Sequence, residues 1–152
     1  MKHCISPLPL LNDGAECVDS HCHLDMEAYQ PDLDAVIASA AQHGVGRIIT
    51  IGIDAASSRR AVELAVRYPN VYATVGVHPH DAVQATDGVL AELAELAKHP
   101  SVVGYGEIGL DYAKQYAPRD VQRKAFVAQL HLAKELNLPV VIHDREAHED
   151  VR

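Results

Sequence analysis

Five of the ten histidines in this 152-residue sequence directly follow short apolar runs, in segments that also carry carboxylates and an arginine. Imidazole and carboxylate groups are the ligands that zinc and related divalent ions use in proteins. The sequence therefore predicts a metal centre where these segments meet. The segments are His21-Cys22-His23, His78-Pro79-His80, Glu107 with Asp111, and His143-Asp144-Arg145.

His21 and His23 are the clearest pair of candidate ligands. Residues two apart on a strand point to the same face, so both imidazoles can bind one ion. For an isolated His-x-His motif, a pair of hydrogen-bonded core histidines is an equally good interpretation. Glu107 and His143 follow other apolar runs, and together the four groups favour metal binding.

Glu107 stands among glycines in the segment Gly104-Tyr105-Gly106-Glu107-Ile108-Gly109. The small neighbours leave room for a second ion beside the carboxylate, and its two oxygens can bridge metals about 3.5 to 4 Å apart. The alternative is a solvated glutamate in a turn, which a poorly hydrated strand end disfavours.

The candidate ligands must be positioned by alternating strands and helices. Nearly unbroken Val/Ile runs predict strands over residues 17–21, 47–51, 71–77, 102–107 and 140–142. Amphipathic stretches predict helices over about 31–43, from the N-cap Asp54 towards Pro69, around 90–97, and from Pro118 to about 136. This alternation indicates a parallel sheet covered by helices.

Polar clusters at the strand ends favour a barrel over an open sheet, because β/α barrels form their active sites at the C-terminal ends of the strands. The glycine-rich phosphate-binding turns of open nucleotide-binding sheets are absent after the first strand. We therefore predict an α/β fold: a TIM-type (β/α)8 barrel, of which about five N-terminal βα units are present.

Composition limits the other classes of function. The net charge of −8 argues against a protein that grips long nucleic acid mainly through phosphate contacts. No apolar run is long enough to span a bilayer, and a cytoplasmic protein without membrane contacts is expected. Three cysteines, Cys4, Cys17 and Cys22, match no disulfide framework and are interpreted as small apolar residues, with Cys22 directed away from the flanking histidines.

Taken together, the motifs resemble the TatD family of metal-dependent deoxyribonucleases. The matching segments run in family order over about residues 17–150 and are far more specific together than singly. They are Asp19 to Asp25, Gly76 to His80, Gly106 to Tyr112 and Pro139 to Arg145.

The resemblance implies two divalent metal ions, with Zn, Mn, Mg and Co all open. His21 and His23 would bind one ion, His143 the second, and Glu107 both. His78 and Arg145 would face the scissile phosphate, and a metal-activated water would cleave DNA from single strands or strand ends. Arg145 also suits bidentate phosphate recognition, although a helix cap or an ion pair with Glu146 or Glu149 is the alternative.

Other functions remain open for the same ligand set. It could hydrolyse amides or related bonds, as in the wider amidohydrolase superfamily, or the ester of aminoacyl-tRNA. The chain could also be an inactive metal-binding piece, because an eight-unit barrel needs about 250 residues. We expect the reading frame to continue and to supply two further ligands beyond residue 152. Residues 17–152 are predicted to be the N-terminal part of the barrel, and residues 1–16 an extension without an assigned function.

Overall fold

The computed structural model describes residues 15–152. Most of the predicted N-terminal extension, with Cys4, therefore lies outside the described residues. The strands are β1 (Cys17–Cys22), β2 (Val45–Ile51), β3 (Val71–Val75), β4 (Val102–Asp111) and β5 (Val140–Arg145). The helices are α1 (Leu33–Gln42), α2 (Ala55–Arg67), α3 (Asp87–Leu96), α4 (Arg119–Glu135) and α5 (His148–Val151), with 3-10 turns at Glu27–Tyr29 and Pro79–Gln84.

All five strands form one parallel sheet in the order β1-β2-β3-β4-β5. Consecutive strands are neighbours, and a helix connects each pair, as the alternating pattern predicts. Because the strands are parallel, all five C-terminal ends lie at one edge of the sheet. The segments with the candidate ligands therefore share this edge.

The main core lies between the sheet and its covering helices. Ile48, Val71, Leu93 and Phe126 are all at least 96% buried within it. Helix α2 begins with a reciprocal cap, in which Asp54 accepts from the Ser57 backbone and the Ser57 hydroxyl accepts from the Asp54 backbone. Among the helices of residues 15–152, none is long and apolar enough to cross a membrane.

Strand β4 is four residues longer than predicted and runs on to Asp111. The glycines beside Glu107 let β5 approach β4 closely. A Cβ on Gly109 would lie 2.0 Å from the His143 carbonyl oxygen, and its φ of +146° is one that glycine adopts readily. The pairing shifts register between Tyr105 and Ile108, so β4 has an irregularity around Glu107.

Candidate metal centre

The six predicted site residues lie along the C-terminal edge of the sheet. His21 and His23 come from the end of β1, and we call them the β1 pair. Glu107 lies within β4, and His143 and Arg145 within β5. His78 follows β3 and begins the turn that contains His80.

Glu107 lies between two groups of imidazoles, and each of its oxygens faces one of them. Oε2 is 3.4 Å from Nε2 of His21. Oε1 is 2.9 Å from Nδ1 of His143 and 3.9 Å from Nε2 of His78. Its side chain is 12% exposed, so few water molecules can compete for these oxygens. The backbone N–H of Glu107 donates to the Gly52 carbonyl at 2.9 Å, which anchors the residue to β2.

The β1 pair is open to solvent on one side. The side chain of His21 is 42% exposed, and its ring centroid lies 5.3 Å from that of His23. Nδ1 of His23 is 3.2 Å from the Ile51 carbonyl oxygen, so this nitrogen donates and Nε2 carries the free lone pair. Fixing one ring nitrogen on a carbonyl is the usual arrangement for a histidine that binds metal through the other. Ligand atoms of His21, His23 and Glu107 lie within 4.8 Å of one another.

A second group is enclosed, and we call His78, His80, Asp111 and His143 the inner cluster. Asp111 is 0% exposed, and its Oδ2 accepts from Nε2 of His80 at 2.7 Å and of His143 at 3.1 Å. Its Oδ1 accepts from the backbone N–H groups of Ala113 and Lys114. Burial alone would raise the pKa of Asp111, but the hydrogen bonds from Lys114, His80 and His143 lower it below its usual range.

The tautomers of the inner cluster follow from these contacts. Because Nε2 of His143 donates to Asp111, its Nδ1 presents a lone pair towards Glu107. Nδ1 of His78 accepts from the His80 backbone at 3.2 Å, so in the neutral ring Nε2 carries the proton. That proton points at Nδ1 of His143, 3.0 Å away. His143 thus has the geometry of a ligand, and His78 that of a donor.

Two buried glutamines on α4 hold the backbone beside these residues. The side chain of Gln129 forms two hydrogen bonds with the backbone of Val77, the residue before His78. It accepts from the Val77 N–H at 2.7 Å and donates to the Val77 carbonyl at 3.0 Å. Gln122 does the same for Asp111, with distances of 2.8 and 3.0 Å. The two glutamines are seven residues apart and therefore lie on one face of the helix. Helix α4 therefore fixes the ends of β3 and β4 relative to each other.

The residues fit divalent cations chemically. Two carboxylates and several imidazole lone pairs converge at one edge, and both Glu107 and Asp111 are removed from bulk water. Burial, followed by the charge of His143, lowers the pKa of His78 to about 4, so at neutral pH this ring adds no positive charge. The donor set of His nitrogens and carboxylate oxygens is suited to zinc, manganese or cobalt.

Comparison with known proteins identifies the family. The family model described as TatD related DNase matches residues 18–152. The chain belongs to this family. It is 45% identical over 133 residues to the uncharacterized metal-dependent hydrolase YabD of Bacillus subtilis, covering 88% of this chain and 52% of that one. It is 39% identical over 131 residues to the 3'-5' ssDNA/RNA exonuclease TatD of Escherichia coli K12, covering 86% and 50% respectively.

Solved structures of TatD relatives share the fold. The crystal structure of YJJV, a TatD homolog from E. coli K12, superposes with a TM-score of 0.81 at 35% identity, covering 88% of this chain and 52% of that chain. A TatD family hydrolase from Entamoeba histolytica gives 0.83 at 26% identity, covering 90% and 52%. The chain spans about half the length of the relatives it matches. Its five parallel strands form a half-barrel, which confirms the predicted fold class.

Within this TatD half-barrel, the structure brings five of the six predicted site residues together. Arg145 is the exception: its side chain is exposed, and within residues 15–152 it forms no ion pair, including none with Glu146 or Glu149. Its backbone carbonyl accepts from Tyr112 N–H at 2.9 Å, next to Asp111. Cys22 is directed at the Ile49 carbonyl, 3.5 Å away, and belongs to neither group of ligands.

Sequence reasoning undervalued two members of the inner cluster. The sequence places His80 among the polar strand-end residues without a role of its own, whereas the 3-10 turn that begins at Pro79 brings His80 back against Asp111. Asp111 is recognised as a polar strand-end residue but receives no role. The signal for both is their spacing: each follows a strand end within five residues, as the other site residues do. The glutamines of α4 have no signal in the local sequence, because their partners are 11 and 52 residues away.

Proposed function

We propose that the protein is a divalent-metal-dependent hydrolase that cleaves phosphodiester bonds of DNA, acting as an exonuclease on single strands or strand ends. The observation that supports this most strongly is the position of Glu107, with one oxygen towards the β1 pair and the other towards His143. A carboxylate shared between two groups of imidazoles suits a two-ion site.

The proposed ligands divide into two sets. His21, His23 and Glu107 would hold one ion, and Glu107 with His143 the second. When bound, the ions would lower the pKa of a water molecule towards 7 and offset negative charge on the phosphate. Their identity and number are part of the proposal.

The remaining residues would act on the phosphate itself. Nε2 of His78 is 3.0 Å from Nδ1 of His143 and 3.9 Å from Oε1 of Glu107. With an ion on the Nδ1 lone pair of His143, the N–H of His78 would be free to donate to a phosphate oxygen. Arg145 projects from the end of β5 without a carboxylate partner among the described residues, so its guanidinium is available for two phosphate oxygens. Glu107, His78 and Arg145 are thus the proposed catalytic residues.

The relatives support a nucleic-acid substrate. Several are named 3'-5' ssDNA/RNA exonuclease TatD, and we extend that activity to this protein as a proposal. The structure of an uncharacterized amidohydrolase from Saccharomyces cerevisiae superposes with a TM-score of 0.82 at 25% identity. Hydrolysis of small amides is therefore the second candidate, and hydrolysis of aminoacyl-tRNA stays an alternative from the sequence alone. The assignment of residues 17–152 to the first part of a barrel and a cytoplasmic location stay predictions.

The test is an assay of purified full-length protein, stripped with a chelator and reloaded separately with Mn²⁺, Zn²⁺, Co²⁺ or Mg²⁺. Substrates are single-stranded DNA labelled at either end, an aminoacyl-tRNA and a series of small amides. We expect stepwise shortening of DNA only in the presence of metal. Hydrolysis of the amides or of the tRNA ester with intact DNA would contradict the proposal and favour the second candidate.

A further inference from the structure

We propose that Tyr116 is a stacking platform for one nucleobase of the strand whose phosphate occupies the metal centre. This inference rests on the proposed function and names a subsite that it does not include. Tyr116 lies in the loop between β4 and α4, outside every group of candidate ligands. The ligand is a base of a single-stranded nucleic acid.

The side chain of Tyr116 lies beside the inner cluster. Its ring centroid is 4.6 Å from that of His80, with the planes at 89°. His80 in turn contacts both His78 and Asp111. Tyr116 is therefore one ring away from the inner cluster. The residue is 67% exposed, so its ring offers free surface to a ligand.

The loop holds the backbone on both sides of this exposed ring. Asp111 accepts from the backbone of Ala113 and Lys114 on one side of Tyr116. On the other side Ala117 is buried, and its carbonyl accepts from Gln122 at 2.8 Å. The intervening Gln115 has φ of +51°, a conformation that a non-glycine residue adopts at some cost. With its backbone held on both sides and its ring at an edge contact with His80, Tyr116 offers a stacking face at a defined place in the loop.

The charges around the loop favour a polyanion locally, although the whole chain is acidic. Lys114 and Arg119 flank Tyr116 and are exposed. Neither forms an ion pair with a carboxylate of the described part of the chain. The Arg119 guanidinium lies 4.2 Å from the Tyr112 ring centroid, which keeps it beside the loop. An aromatic ring between cations is the usual composition of a surface that binds single strands.

The experiment combines removal of the ring with removal of the base. Full-length wild type, Tyr116→Ala and Tyr116→Phe are compared on a single-stranded DNA decamer and on decamers with one abasic tetrahydrofuran residue at each of the four terminal positions. Both kcat/KM for cleavage and Kd on metal-free protein are measured, the latter with 2-aminopurine at the same positions. Val66→Ala is the control, because Val66 is 63% exposed but lies in the last turn of α2, at the opposite edge of the sheet.

For wild type, we expect one abasic position to reduce kcat/KM and affinity by about five- to 150-fold, the range for one stacked base. Tyr116→Ala should show the same loss on the intact strand and no further loss at that position, whereas Tyr116→Phe and Val66→Ala should behave as wild type. Equal kcat/KM and Kd for Tyr116→Ala and wild type, or a loss that does not depend on the abasic position, would overturn the inference. Failure of wild type to cleave any strand would instead count against the proposed function, and the Kd values would still decide the role of Tyr116.

Discussion

The β1 pair and the inner cluster supply similar side chains but are built differently. His21 is 42% exposed on a strand with one hydrogen-bonded neighbour in the described sheet. In the inner cluster Asp111 is fully buried and accepts four hydrogen bonds. The inner cluster is thus organised by the protein itself, whereas the β1 pair depends more on what it binds.

The two groups also differ in how they are connected to the rest of the protein. Buried glutamines of α4 fix the inner cluster, and its histidines already have hydrogen-bond partners. The β1 pair contacts the rest of the site through Glu107 alone, apart from the bond from His23 to Ile51. Under the proposed function, the joint action of the two groups would therefore depend on Glu107. The following predictions test this division.

The largest effect is expected for Glu107→Ala. It should reduce hydrolysis by about 10³-fold or more, since a bridging ligand acts on both ions and each 1.36 kcal/mol of lost stabilisation is tenfold in rate. Metal content by mass spectrometry should fall, while circular dichroism stays unchanged. Glu149→Ala, at an exposed glutamate on α5, is the control. Wild-type turnover in Glu107→Ala would remove this residue from the site.

Substitutions in the two groups should change the free energy of unfolding by different amounts. Asp111→Ala leaves buried donors without an acceptor and should lower the free energy of unfolding by about 2 to 4 kcal/mol. His21→Ala removes a partly exposed side chain and should change it by less than about 0.5 kcal/mol. Urea unfolding of the metal-free protein measures both. Similar losses in the two variants would show that the β1 pair is as tightly built as the inner cluster.

Arg145→Lys should reduce DNA cleavage by about ten- to 100-fold, because lysine keeps the charge but loses the planar fork that meets two phosphate oxygens. Metal content should remain that of wild type, since the exposed side chain of Arg145 is not among the candidate ligands. The measurement is steady-state kinetics paired with metal analysis. Unchanged kinetics would show that Arg145 is an exposed residue that does not contact the substrate.

A smaller effect concerns pH. The pKa of His78 is lowered to about 4, against an ordinary value of 6.5. As pH falls through this window the unfolded chain takes up a proton that the folded protein does not, so the free energy of unfolding decreases. Above pH 6.5 His78 is neutral in both the folded and the unfolded chain, so it no longer lowers the free energy of unfolding. In the presence of a chelator, the free energy of unfolding of His78→Gln should decrease less steeply between pH 6.5 and 4 than that of wild type. Identical slopes of the free energy of unfolding against pH would contradict this interpretation of His78.

The sequence predicts the fold and the positions of most candidate site residues because both depend on local pattern. Val/Ile runs such as residues 47–51 define the strands, and parallel strands bring their C-terminal ends together whatever the details of packing. His21, His23, Glu107 and His143 could therefore be assigned to one edge without knowledge of any distance.

The remaining features depend on contacts that the local pattern does not encode. The sequence pattern ends the fourth strand at residue 107, but Gly109 allows β4 to continue against His143. The 3-10 turn after Pro79 decides where His80 points. The β1 pair is more exposed than the inner cluster because of tertiary packing, which the spacing of residues in the sequence does not predict.

The most direct test of the account is a crystal structure of the full-length protein grown with Mn²⁺, with anomalous scattering used to locate the ions. The account predicts two peaks about 3.5 to 4 Å apart, the spacing of two-ion sites. One peak should contact His21, His23 and one oxygen of Glu107, and the other should contact His143 and the second oxygen. A single peak, or two peaks without Glu107 between them, would contradict the central role of this residue.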